Sequence, residues 1–148
     1  MKPMHKTLRV TVRTVTDAAV AYAYLRDFSN ATHWDSGTES CERTFGDGGP
    51  GTVYHNKSRF GGLPVELDYV VELDQAPVFQ VVGRNATTVG RDTITVTPDP
   101  AGGALIDYRA EFELDVLWPL RPVVSLLLDR LGAATALQLR GALDRLSR

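Results

Sequence analysis

The dipeptide Gly61-Gly62, set between two long alternating runs, constrains the chain more than any other feature. A two-residue glycine loop accepts positive φ at both positions, so it predicts a tight β-hairpin whose register is set by the turn. Phe60 then faces Leu63, and counting back pairs Ser58 with Val65, Asn56 with Leu67 and Tyr54 with Tyr69. The alternate positions pair Lys57 with Glu66 and His55 with Asp68, opposite charges directly across the ladder. The first set is therefore the inner face. It carries Tyr54, Asn56, Ser58 and Tyr69, an unusually polar group for a core.

The remaining chain reads as one strand, a helical break, six strands and a final helix. Leu8 to Val15 alternates apolar and basic or hydroxyl residues, and Thr16 or Asp17 then caps a helix to about Asp27. A short irregular turn holds Phe28, Trp34 and Asp35. Strands follow near 38–45, 52–60, 63–73, 78–86, 88–97 and 104–115. In the last, Ile106, Tyr108, Ala110, Phe112 and Leu114 share one side, and Asp107, Arg109, Glu111 and Glu113 the other. A helix from about Pro122 to Leu146 closes the chain. At 100° per residue its apolar stripe takes in Val124, Leu127, Leu128, Leu131, Thr135, Gln138, Ala142 and Leu146, with Thr135 and Gln138 as polar interruptions. Such a helix is about 37 Å long, and the strand from Leu63 to Leu73 about 36 Å, so one can lie along the other.

At 148 residues the chain is expected to form a single α+β domain, 1–148, with a core that needs no staple. Cys41 is the only cysteine and the histidines, His5, His33 and His55, are scattered, so neither a disulfide nor a metal site is expected. Sixteen basic residues are mixed with eighteen acidic ones, which argues against nucleic acid or an anionic membrane as partner. No apolar run reads as a membrane span and no targeting signal is evident, so the expected location is the cytoplasm. Thirteen Arg against three Lys, with abundant Ala, suit a GC-rich bacterial genome. Gly46-Asp47-Gly48-Gly49-Pro50-Gly51 matches the dinucleotide pattern G-x-G-x-x-G, but a strand rather than a helix follows it, so it reads as a hairpin turn and no cofactor is expected.

Asp92 stands out because the alternation that buries Ile94 and Val96 also turns it inward. A desolvated carboxyl has a raised pKa and can serve as a general acid or base. The plainer reading has it reaching solvent or pairing with Arg84 or Arg91, and Arg84 can face either way. Leu126 and Leu137 fall on the outer side of the last helix, where they are innocuous or form a dimer contact.

This order of elements resembles the START-like superfamily, also called SRPBCC, and within it the bacterial polyketide cyclase/dehydratase-like group. The resemblance spans Leu8 to Leu146. It rests on Leu25-Arg26-Asp27-Phe28 closing the first helix, His33-Trp34-Asp35, the Gly51-Thr52 strand start, Gly61-Gly62 and the amphipathic terminal helix. It implies a helix-grip fold, a curved antiparallel sheet of about seven strands wrapped around the C-terminal helix, with an internal cavity for a small apolar or aromatic molecule. The expected ligand-binding residues are Trp34, at the cavity mouth, with Tyr54, Asn56, Ser58, Tyr69, Phe112, Leu131, Thr135 and Gln138. Asp92 and Tyr108 are the catalytic candidates. Three functions remain open at this point: a binder or carrier of a hydrophobic, lipid- or polyketide-like molecule, a cyclase or dehydratase, and a protein-interaction module, as monomer or homodimer.

Overall fold

The computed structural model describes residues 2–147. Strand β1 (Met4–Thr14) is followed by α1 (Ala18–Arg26), a single 3-10 turn (Phe28–Asn30) and the short α2 (Ala31–Trp34). Then come β2 (Thr38–Phe45), β3 (Val53–Phe60), β4 (Leu63–Gln75), β5 (Val78–Arg84), β6 (Thr88–Pro98) and β7 (Ala104–Leu114). A 3-10 turn (Trp118–Leu120) leads into α3 (Arg121–Arg145). The seven strands form one sheet in the order β1-β7-β6-β5-β4-β3-β2, with every pairing antiparallel. Only the β1–β7 neighbours are distant in sequence, and that pairing sets the first strand beside the last.

The β3–β4 hairpin has the register its turn demands: Phe60 opposite Leu63, Ser58 opposite Val65, Asn56 opposite Leu67 and Tyr54 opposite Tyr69. Both turn glycines have positive φ, 57° at Gly61 and 82° at Gly62, the conformation that excludes most side chains. On the outer face His55 bonds Asp68 at 2.7 Å and Glu66 at 3.0 Å. Arg84 lies opposite Asp68 and is exposed, which settles its direction as outward.

Asp17 caps α1, its carboxylate accepting the Ala19 N–H. The helix is tied to the β4–β5 hairpin by Arg26 and Tyr22, which both bond the largely buried Asp74. These bonds hold the Asp74 carboxyl below its ordinary range, the Arg26 bond contributing most. Behind α1, the segment from Phe28 to Trp34 packs into the sheet's concave face. The Phe28 ring contacts Trp34, Tyr54, Tyr69 and Phe79, and Trp34 meets Tyr108 edge-on at 5.5 Å.

Helix α3 packs on β1 and α2 through Leu128, Gly132, Thr135, Leu139, Ala142 and Leu143. The contact stripe is rotated from the one read by hydrophobicity alone. Gly132 faces β1, where a Cβ would meet the Leu8 side chain at an ordinary contact distance of 3.5 Å, and Leu139 lies on the same buried face. Gln138, expected inward, is exposed. By length and composition the segment Trp118–Arg145 is long and apolar enough to cross a membrane, contrary to the expectation that no run approaches a span. Here it is the helix that the sheet grips. Leu126 and Leu137 are exposed on its outer side, as their phase required.

Candidate functional site

Between α3 and the concave sheet lies a cavity of about 340 Å³, within the range of small-molecule sites. Exposed residues mark its open end: Arg59 and Leu63 from the β3–β4 hairpin, Thr87 before β6 and Asp115 after β7. Its walls are apolar, with Leu8, Val65, Leu67, Ala110, Phe112 and Leu128. Its closed end is polar. Tyr69, Asp92, Tyr108 and Thr135, all buried, meet Asp35 there.

Sheet register explains the depth. Thr88 at the open end lies opposite Leu114, and Asp92 opposite Ala110, four residues further in. At about 3.3 Å per residue that is roughly 13 Å along the strand. The inward phase of β6 places Gly90, Asp92, Ile94 and Val96 on the concave side, all buried. Arg91 points the other way and engages Glu72 and Gln80, so neither Arg91 nor Arg84 neutralises Asp92.

On β7 the neighbouring Tyr108 phenol favours the charged form of Asp92. Burial raises the Asp92 carboxyl to about 7; the nearby Asp35 charge adds to the rise and the Tyr108 phenol opposes it. Burial also raises Asp35, which is eased by hydrogen bonds from Thr38, Thr135 and the Gly37 N–H. Thr38 Oγ1 donates to Asp35 Oδ2 at 2.7 Å and Thr135 Oγ1 to Oδ1 at 3.1 Å. Ser36 Oγ donates to the Leu131 carbonyl at 3.2 Å, which locks the α2–β2 loop to α3. Tyr69 and Tyr108 are pushed well above the ordinary phenol range, first by burial and then by the Asp92 charge. Both phenols are therefore neutral donors at any physiological pH.

Tyr69 reaches this place because Gly83, opposite it on β5, has no side chain. A Cβ there would lie 2.6 Å from Tyr69 Cε1. Gly83→Ala is expected to displace the ring and to cost about 1–3 kcal/mol, the usual scale of overpacking. Urea denaturation checks it; unchanged stability contradicts the close approach.

Of the residues singled out from sequence, Ser58, Tyr69, Asp92, Tyr108, Phe112, Leu131 and Thr135 border the cavity. Trp34, Tyr54, Asn56 and Gln138 do not. Trp34, expected at the mouth, is wholly buried beneath Phe28 and Tyr108, and its indole N–H is a buried donor with no partner among the described residues. Tyr54 does point inward, but Phe28 covers it. Asn56 is consumed by its neighbours, donating to Thr38 Oγ1 at 3.2 Å and accepting from Ser58 Oγ. Asp35 was not singled out for this role. Its one sequence signal is a carboxylate two positions before the glycine that precedes β2. Cys41 is buried, and burial pushes its thiol up to about 11, which suits an inert side chain.

A curved antiparallel sheet closed on a long C-terminal helix defines the helix-grip class, the START-like or SRPBCC architecture. The chain belongs to the family described as polyketide cyclase / dehydrase and lipid transport, which matches residues 5–148. No curated protein matches it in sequence. Among solved structures it is similar to TTHA0849 from Thermus thermophilus, with 16% identity over 97% of this chain and 100% of that one and a TM-score of 0.82. It is also similar to the ZhuI aromatase/cyclase from Streptomyces sp. R1128, at 14% identity, 98% and 97% coverage and TM-score 0.79. A norcoclaurine synthase from Thalictrum flavum matches at 18% identity, 100% and 99% coverage and TM-score 0.71. At these identities the likeness is one of fold.

Proposed function

We propose that the protein binds a small hydrophobic or aromatic molecule in the cavity between sheet and α3. The observation that carries this reading is the cavity's construction: apolar walls, one open end and a buried polar end. Burial raises both closed-end carboxyls, so keeping Asp35 and Asp92 there carries a desolvation cost that a bound ligand would give a use. A titration with prodan, a neutral naphthalene fluorophore, tests the reading. Saturable, blue-shifted emission at one dye per chain is expected; the absence of any saturable change overturns it.

A second reading, an enzyme of the cyclase or dehydratase type, is favoured by one specific feature. Asp92, raised to about 7, can take and return a proton near neutrality, while the phenols of Tyr69 and Tyr108 can polarise a carbonyl. In that case Asp92 is the proton-transferring base, and the walls fold the substrate against it. Asp92→Asn and Tyr108→Phe separate the two: retained binding with lost turnover marks an enzyme.

A further inference from the structure

We propose that the cavity's occupant is a small apolar amine, seated with its ammonium group between Asp35 and Asp92 and its hydrocarbon body along Leu8, Val65, Phe112 and Leu131. This rests on the binding reading above and names the ligand class.

The charges around the closed end point one way. Asp35 enters from the loop before β2, Asp92 from β6, Tyr69 from β4 and Tyr108 from β7. Among the described residues lining the cavity the sole cation is Arg59, exposed at the rim and paired with Glu39 at 2.6 Å. The other charged lining residue, Asp115, is an acid at the rim. A carboxylate driven to the closed end would therefore be a third acid with no counter-charge. An alcohol would find acceptors but leave two buried carboxyls uncompensated.

An ammonium group matches what is available. It has three donors, and three acceptors face the space: the Asp35 carboxylate, the Asp92 carboxylate and the Tyr69 hydroxyl. Tyr69 is the independent pointer. Tyr69 is 7% exposed and borders the cavity, and its hydroxyl takes part in no hydrogen bond among the described residues, so its oxygen is left to an occupant. The rings of Tyr69 and Tyr108 add aromatic faces, which attract a desolvated cation.

The test uses three probes on one skeleton, 2-(2-naphthyl)ethylamine, 2-(2-naphthyl)ethanol and 2-naphthylacetate, titrated calorimetrically into the full chain at pH 8. The amine is expected to bind at least about tenfold more tightly than the alcohol, with the acetate weakest. Asp92→Asn should weaken the amine by about tenfold or more and leave the alcohol within about threefold. Asp35→Asn, a separate variant that keeps an acceptor for Thr135, should act in the same direction. Alcohol or acetate binding as tightly as the amine overturns the amine assignment and leaves the binding reading standing. If prodan binds and none of the three probes does, the assignment likewise fails. If neither prodan nor any probe binds, the binding reading itself fails.

Discussion

Asp92→Asn should stabilise the protein at pH 8 by about 2–4 kcal/mol, and the gain should shrink toward pH 4. The magnitude follows from a carboxyl raised from 3.8 to about 7, at about 1.4 kcal/mol per pKa unit, reduced for local relaxation. The sign follows from proton linkage. Between about pH 4 and pH 7 the folded chain keeps the Asp92 proton while the unfolded chain has lost it, so stability falls as pH rises through that window and is level above it. Asparagine has nearly the same shape and carries no charge to bury. For a chain of this size the gain corresponds to a melting temperature roughly 6–13 °C higher. Thermal unfolding of both proteins at pH 4 and pH 8 measures it. A variant less stable than the parent at pH 8, or a gain that does not vary with pH, contradicts the burial of this carboxyl. The native aspartate is then a stability cost retained at a site, a common trade-off between stability and function.

Ala110→Trp should abolish uptake. Ala110 sits opposite both Leu8 and Asp92, is 1% exposed and borders the cavity. An indole there projects into a space of about 340 Å³ and takes the volume an occupant needs. Prodan affinity is expected to drop by at least about 30-fold, equivalent to about 2 kcal/mol. Because the new side chain fills a void rather than a packed core, the variant should keep its fold and unfold cooperatively. Dye binding equal to that of the parent, in a folded variant, contradicts occupancy of this cavity.

The fold was legible because its strongest signals are local. The Gly61-Gly62 turn, with period-two alternation on both sides, dictated the β3–β4 register residue by residue, and inward Asp92 followed from the same alternation. The helix phase was less legible. Hydrophobic periodicity gives a glycine no weight, yet Gly132 lies on the buried face toward Leu8, a face that takes in Leu139 and leaves Gln138 exposed. Within the site, inward direction did not amount to cavity exposure. Tyr54 and Asn56 share a face with Ser58 and Tyr69, but Phe28 covers Tyr54 and side-chain hydrogen bonds absorb Asn56. Trp34 was misplaced for the same reason, because nothing periodic shows that a turn and a four-residue helix pack into the sheet's concave face. Asp35 was missed since its position depends on Thr135, a hundred residues away in sequence, donating to its carboxylate.

Amide chemical-shift mapping with prodan tests the central claim most directly, since it locates the dye as well as detecting it. Two surfaces compete: the cavity and the exposed apolar start of α3, where Leu117, Trp118, Leu120 and Val123 are all more than half exposed. The account expects the largest shifts at Gly37, Gly90, Asp92, Ala110, Gly132 and Thr135, saturating at one dye per chain. Shifts confined to residues 117–126, with those six unmoved at saturation, would contradict it.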